Sequence, residues 1–218
     1  MEKLRGKFIT FEGGEGAGKT TQSRLLVEHM NKAGVGAVWT REPGGCEGAE
    51  EIRNLVLKGS VDRWDGITEL LLIYASRKVH TERKIKPALA SGMAVVSDRY
   101  FDSSLAYQGF GHGLAIHKVD AVRKIVLDDF RPDLTILLDV DISLGLSRAC
   151  AGTGKNRFED MDMEFHRRVR NGFDHIYETN RNRCIRIDTA NLSIEDLSKQ
   201  IVDRVLEFFA PGTVKRAP

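Results

Sequence analysis

Residues Gly13 to Thr20 read Gly-Gly-Glu-Gly-Ala-Gly-Lys-Thr, the full spacing of a polyphosphate-cradling loop. Glycines let successive backbone N–H groups curl around an anion, and a helix starting behind them adds partial positive charge. Lys19 is placed to reach the outer phosphates, and the Thr20 hydroxyl can bind Mg²⁺. The loop is therefore expected to hold a nucleoside triphosphate through Gly13, Gly14, Glu15, Gly16, Ala17, Gly18, Lys19, Thr20 and Thr21. A glycine-rich turn with an incidental lysine is the plain alternative. It does not account for the flanks: Phe8-Ile9-Thr10-Phe11 suits a buried strand, and Thr21 to Val27 suits the opening of a helix.

Such a loop works only on a scaffold that points it at a second ligand. Apolar runs alternate with helix-like stretches along the chain, which predicts an α/β fold: a parallel sheet flanked by helices. The strand candidates are Lys7–Glu12, Ala37–Arg41, Ala94–Ser97, Leu134–Asp139 and Cys184–Asp188. Helices are expected over Lys19–Lys32, Ala49–Lys58, Glu69–His80, Glu82–Ala90, Ile116–Leu127, Ser143–Ala151, Glu164–Thr179 and Ile194–Phe209. The run Leu70 to Tyr74 fits a buried strand as well as a helix, and its polar continuation favours helix. Residues 1–210 form a single P-loop domain with a short lid at about 148–160, and the tail 211–218 is expected to fray.

In an open parallel sheet, ligands gather at the carboxyl ends of the strands. Beyond the glycine loop, three such ends carry charge: Arg41-Glu42-Pro43-Gly44-Gly45, Asp98-Arg99-Tyr100 and Asp139-Val140-Asp141. Asp98 is the best candidate for the acid that holds Mg²⁺ or its water shell, with a turn cap as the other reading. Arg41, Arg77 and Arg99 are candidates for gripping an anionic substrate, because guanidinium matches phosphate in a two-pronged fork and stays charged. Between two predicted helices, Arg148, Lys155 and Arg157 stand among small residues and glycines, a composition suited to a lid closing on a triphosphate. A solvated basic loop is the alternative.

The composition bounds the rest. The 218 residues are 41% hydrophobic and 29% charged, with a formal net charge of +2, so bulk charge suggests neither nucleic acid nor membrane as a partner. The run His166-Arg167-Arg168-Val169-Arg170 reads as an exposed helix face, since no aromatic residues interleave with its charges. Cys46, Cys150 and Cys184 are far apart and read as free thiols. No secretory h-region and no spanning stretch of apolar sequence is visible, so a cytoplasmic location is expected.

Taken in order, these segments resemble bacterial thymidylate kinases. The likeness runs from Phe8 to about Ala190 and rests on Phe11 to Thr21, Thr40-Arg41-Glu42-Pro43-Gly44-Gly45, Asp98-Arg99-Tyr100, Ala106-Tyr107-Gln108-Gly109 and Phe130-Arg131-Pro132-Asp133-Leu134. The resemblance implies a five-stranded parallel sheet with a mobile lid, ATP as donor with Mg²⁺, dTMP as acceptor, and a homodimer. It also implies that Glu15 reaches the 3′-hydroxyl, that Arg41 and Arg99 hold the acceptor phosphate, and that Arg77, Ser104 and Gln108 line the thymine side. Tyr107 would pack on C2′ and exclude a ribose hydroxyl by clash.

Two positions depart from the family pattern. Ile73 stands where a phenylalanine usually stacks on the base, so either Ile73 forms an aliphatic wall or Tyr74 stacks instead. Gly16 stands where some members carry a P-loop arginine, so the chain resembles the subgroup whose lid supplies it, with Arg157 as the catalytic arginine and Arg148 in support. A kinase for another small acceptor, or a nucleotide-dependent switch, would share the P-loop without needing Arg41, Arg77 and Tyr107 together.

Overall fold

The computed structural model describes residues 1–151 and 157–210. Five parallel strands form one sheet in the order β2-β3-β1-β4-β5, with β1 Phe8–Glu12, β2 Ala37–Arg41, β3 Ala94–Asp98, β4 Leu134–Asp139 and β5 Cys184–Asp188. In β1 and β3 every residue is buried, because helices cover both sheet faces. That is why these strands read as unbroken apolar runs rather than alternating ones.

Helices α1 (Lys19–Lys32) and α9 (Ile194–Phe208) pack on one face, where Ile9, Phe11, Leu26, Met30, Leu138, Ile187 and Ile201 make the largest core. Each such side chain contributes roughly 1.5–3 kcal/mol by leaving water. On the other face, α3 (Gly66–His80) and α6 (Ile116–Leu127) close over Phe8, Leu70, Tyr74, Val95, Tyr100 and Val119. Helix α2 (Glu47–Leu57) lies along α3, while α4 (Lys86–Ala90), α5 (Phe101–Ser104), α7 (Ile142–Cys150) and α8 (Met163–Thr179) complete the helices among the described residues.

Strand β1 is flanked by β3 on one side and β4 on the other, so the chain crosses over in opposite directions from the P-loop strand and leaves a crevice at its carboxyl end. The expected strands and helices are present with ends shifted by at most three residues, except that α4 begins at Lys86, four residues after the expected Glu82. The Leu70–Tyr74 run is helical, as its polar continuation implied.

The sequence gives no sign of the helical segment that follows Asp98. After α5 the chain runs through wide π-type turns, Leu105–Gly111, against α8. Glycines make that approach possible: a Cβ on Gly111 would lie 2.7 Å from the Phe165 ring, and one on Gly172 would lie 2.8 Å from Ala106 Cα. A π-type turn, Thr81–Ile85, likewise joins α3 to α4, so the helix expected over Glu82–Ala90 continues from α3.

The run 166–170 is only partly the exposed face expected of it. His166 and Val169 are buried, Arg168 donates to Gly111 O at 2.9 Å, and Arg170 pairs with Asp139 at 3.3 Å. All three cysteines are free thiols. Among the described residues, no helix is long and apolar enough to cross a membrane. Lys155, the central part of the expected lid, and the tail 211–218 lie outside the described residues.

Candidate active site

The P-loop turns between β1 and α1 because Gly13 and Gly16 sit at positive φ where a side chain would collide with neighbouring backbone. Gly13 has φ 137°, and a Cβ there would collide with Leu138 O; Gly16 has φ 63° and sits directly against the Gly145 backbone of α7. Lys19, the first residue of α1, curls its ammonium back over the loop and donates to Gly14 O at 2.5 Å. Burial, reinforced by Arg99, lowers its pKa to about 8 against the opposing pull of Glu15 and Asp98. Thr20, one residue on, donates its hydroxyl proton to the Asp98 carboxylate at the end of β3. Two oxygen donors of the type preferred by Mg²⁺ thus meet beside the phosphate loop.

Arg99 follows Asp98 with φ 69°, a left-handed turn that swings its side chain across the end of β1. Its Nη1 donates to Gly13 O and to Ser103 Oγ, each at 3.0 Å, and its Nη2 donates to Glu15 Oε1 at 3.1 Å and Tyr107 OH at 3.0 Å. Burial opposes its charge, but Tyr107, Glu15 and Asp98 together hold it firmly protonated. Tyr107 also donates to Glu15 Oε1 at 2.8 Å and stands edge-on to Phe158, Phe165 and Phe173. Burial favours the protonated Glu15 carboxyl, yet Arg99 and Lys19 outweigh that and keep it below its usual range. Glu15, Arg99 and Tyr107 therefore form one hydrogen-bonded triangle.

These groups line a cleft of about 520 Å³ at the carboxyl edge of the sheet. Glu15, Lys19, Thr20, Arg41, Asp98, Arg99, Ile73, Arg77, Ser104, Tyr107, Gln108 and Arg148 all border it. Arg77, only 2% exposed, donates to Glu42 Oε2 at 2.6 Å, Ser104 Oγ at 2.8 Å and Tyr100 O at 3.0 Å. A guanidinium has five N–H groups, so two of its donors are left for the cleft. Glu42 also holds His80 Nδ1 at 3.0 Å, which fixes the carboxylate behind Arg77. Gln108 donates to Glu69 at 2.6 Å.

The structure places some of the expected residues away from the cleft. Ile73 faces the cleft, whereas Tyr74 lies under the Arg77 guanidinium at 4.5 Å and borders a separate cavity near Asp102, so Tyr74 is no stacking platform there. Arg157 is 3% exposed and absent from the cleft wall. Its guanidinium pairs with Glu69 and donates to Val56 O at 2.7 Å and Val61 O at 3.2 Å, so its charge is paired and all three of its nitrogens are engaged inside the fold. Of the two lid arginines singled out, Arg148 is the one at the cleft, where it donates to Ala190 O at 3.1 Å. Finally, Asp139 is taken by Arg170 and Arg186, and Asp141 caps α7 through Ser143 N and Leu144 N.

Sequence reasoning overlooked Arg53. It borders the cleft from α2, donates to Pro43 O at 2.7 Å, and has its pKa brought down to about 10 by burial and by Arg41. Glu50, three residues earlier and so on the same helix face, suggests a solvated pair. In the fold Glu50 instead binds Arg41 at 3.0 Å, and the turn at Pro43 sets both arginines on one wall. Ser103 and Glu12, which stand behind Arg99, were also overlooked.

Comparison with known proteins places the chain in a family. A sequence model described as Thymidylate kinase matches residues 11–201. The chain is 44% identical over 203 residues to the thymidylate kinase of Caulobacter vibrioides, covering 93% of this chain and 97% of that protein. It is 45% identical over 206 residues to that of a Bradyrhizobium species, covering 93% and 91%. The crystal structure of thymidylate kinase from Ehrlichia chaffeensis superposes with a TM-score of 0.76 at 38% identity, covering 93% of this chain and 99% of that one. With the family's motifs converging on one cleft and a match across most of its length, this chain belongs to the thymidylate kinase family.

Proposed function

We propose that this kinase, which converts dTMP to dTDP, draws the phosphoryl group from ATP laid along Gly13–Thr21 and passes it to dTMP held between Arg99 and Arg77. The observation that carries this reading is a single cleft with a phosphate loop at one end and a second cluster of arginines facing it. The acceptor phosphate is already an anion at neutral pH, so no strong base is needed. Rate enhancement comes from alignment and from charge stabilisation. Lys19 holds the outer phosphates of the donor, while Arg99, Arg41 and Arg53 grip the acceptor phosphate.

Thr20 and Asp98 would hold Mg²⁺; a site of few protein oxygens, completed by water and phosphate, suits that ion. When bound, it neutralises charge on the β- and γ-phosphate oxygens. Arg148 takes the lid role at the adenine end of the cleft, beside Thr189 and Ala190. On the base side, Arg77 and Gln108 read the thymine edge and Ile73 packs on its face. Glu15 accepts from the 3′-hydroxyl, and Tyr107 fills the space a 2′-hydroxyl would need. Exposed Leu71 on α3 and Ile125 on α6 support pairing of two copies through adjoining helices.

The test is formation of ADP and dTDP from ATP and dTMP, with Mg²⁺ titrated. Dependence on both dTMP and Mg²⁺ supports the reading, and turnover unaffected by a chelator contradicts the metal assignment.

A further inference from the structure

Glu12 ends β1 fully buried, directly behind the site. Its Oε1 accepts from Tyr100 N at 2.7 Å and its Oε2 from Ser103 Oγ at 2.5 Å. Ser103 Oγ in turn accepts from Arg99 Nη1 at 3.0 Å, and Ser103 borders the cleft. One carboxyl thus ties down both the turn that follows Arg99 and a hydroxyl next to its guanidinium. The mechanism above uses neither Glu12 nor Ser103.

A hydroxyl has one proton and two acceptor sites. While Glu12 is ionised, the Ser103 proton is committed to it and points away from substrate. Once Glu12 is protonated, its O–H donates to Ser103 Oγ, which still accepts from Arg99 and whose own proton is released toward the cleft. We infer that Glu12 is a positioning residue for the acceptor phosphate: protonated, it turns the Ser103 hydroxyl into a donor aimed at the cleft while keeping Arg99 in place. This rests on the reading of Arg99 as a grip on that phosphate.

The surroundings favour the protonated form. Burial, then Asp102, push the Glu12 carboxyl up to about 8, against the Ser103 bond, Arg99 and the Tyr100 N–H. Lys19 from α1, and Arg183 with Cys184 at β5, also feel its charge. Arg183 is held by Asp102 at 2.7 Å, and burial pushes the Cys184 thiol up to about 12, so neither changes charge near pH 8. Lys19 does titrate there when free, so ATP must be saturating for its proton to be fixed by phosphate.

The experiment compares kcat/KM for dTMP from about pH 7, where a phosphate monoester is largely dianionic, to about pH 9.5. It uses saturating ATP and wild type, Glu12→Gln, Ser103→Ala and Arg99→Ala. Glutamine can accept from Tyr100 N and donate to Ser103, which mimics the protonated acid. The wild type is expected to lose about tenfold across that range, mainly through KM, as a donor to bound phosphate is withdrawn. Glu12→Gln should stay within about threefold of wild type at pH 7 and be flat above it. Ser103→Ala should be weaker throughout and equally flat. Superimposed profiles for wild type and Glu12→Gln would overturn the inference while Arg99→Ala remains impaired. A normal KM for dTMP in Arg99→Ala would instead overturn the phosphate-grip reading beneath it.

Discussion

Arg99 Nη2 lies 3.1 Å from Glu15 Oε1, so the end of β3 is ion-paired across the sheet edge to the middle of the P-loop. Tyr107 closes the triangle from the π-type turns at 3.0 Å from Arg99 and 2.8 Å from Glu15. The P-loop and the stretch from Arg99 to Tyr107, 84 and 92 positions from Glu15, share one electrostatic unit. Substrate groups that replace these contacts meet partners already oriented, which reduces the ordering cost of binding.

The sugar pocket makes opposite demands on substrate analogues. Wild type should prefer dTMP to its ribo counterpart, and Tyr107→Ala should narrow that preference by relieving the clash, even as activity falls through lost packing. A 3′-deoxy analogue should lose about 1–3 kcal/mol in kcat/KM, because the hydrogen bond from the 3′-hydroxyl to Glu15 is lost. Comparing kcat/KM for the three substrates on both proteins checks this. Equal use of ribo and deoxy substrates by wild type contradicts it.

Lys19→Ala should leave a folded protein with kcat/KM down by several orders of magnitude, since charge at the outer phosphates dominates phosphoryl transfer. In wild type, kcat/KM for ATP should fall above about pH 8, where free-enzyme Lys19 loses its proton. Activity of Lys19→Ala within about threefold of wild type in a coupled ADP assay would end the P-loop assignment.

Arg157 and Arg148 should separate stability from catalysis. Replacing Arg157 by Ala removes the guanidinium from buried Glu69, which keeps only Gln108 and His112, and should cost up to about 3–5 kcal/mol of unfolding free energy, read from denaturant melts. Arg148→Ala should leave stability near wild type and lower kcat by about tenfold or more. A stable Arg157→Ala protein with a collapsed kcat would restore Arg157 to the lid role.

Glu12 makes folding pH-dependent in a definite direction. Its pKa rises from 4.5 to about 8 in the folded state, so between those values the native protein keeps a proton that the unfolded chain has released. Its contribution is fully present below 4.5 and is lost as pH rises through about 8. Relative to Glu12→Gln, wild type should lose at most about 1.4 kcal/mol per pH unit within that window and level off above it. Parallel thermal melts of the two proteins over that window read the gap, and a constant gap contradicts the buried proton.

Much of this was legible in the sequence because its signals are local. Gly13–Thr20 states its own loop, and strands covered on both faces leave apolar runs such as Leu134–Leu138 that need no periodicity to find. What could not be read depends on contacts across the fold. Nothing near Arg157 reveals Glu69, 88 positions earlier in the chain, so a guanidinium buried in an ion pair looks the same in sequence as one reaching for phosphate. Ile73 and Tyr74 differ by roughly 100° around one helix, and only the packing of α3 on Tyr100 and Val119 decides which faces the cleft. Arg53 and Glu12 reach the site through a turn and a strand order that no stretch of residues encodes by itself.

The most direct measurement is ADP release from ATP·Mg²⁺ by purified wild-type protein, with and without dTMP, alongside Arg99→Ala. One cleft with a donor end and an acceptor end predicts negligible release without dTMP, rapid release with it, and an Arg99→Ala protein whose KM for dTMP is raised by about tenfold or more while its KM for ATP changes little. Equal ADP release with and without dTMP, or an unchanged KM for dTMP in Arg99→Ala, would contradict the assignment of the second arginine cluster to the acceptor phosphate.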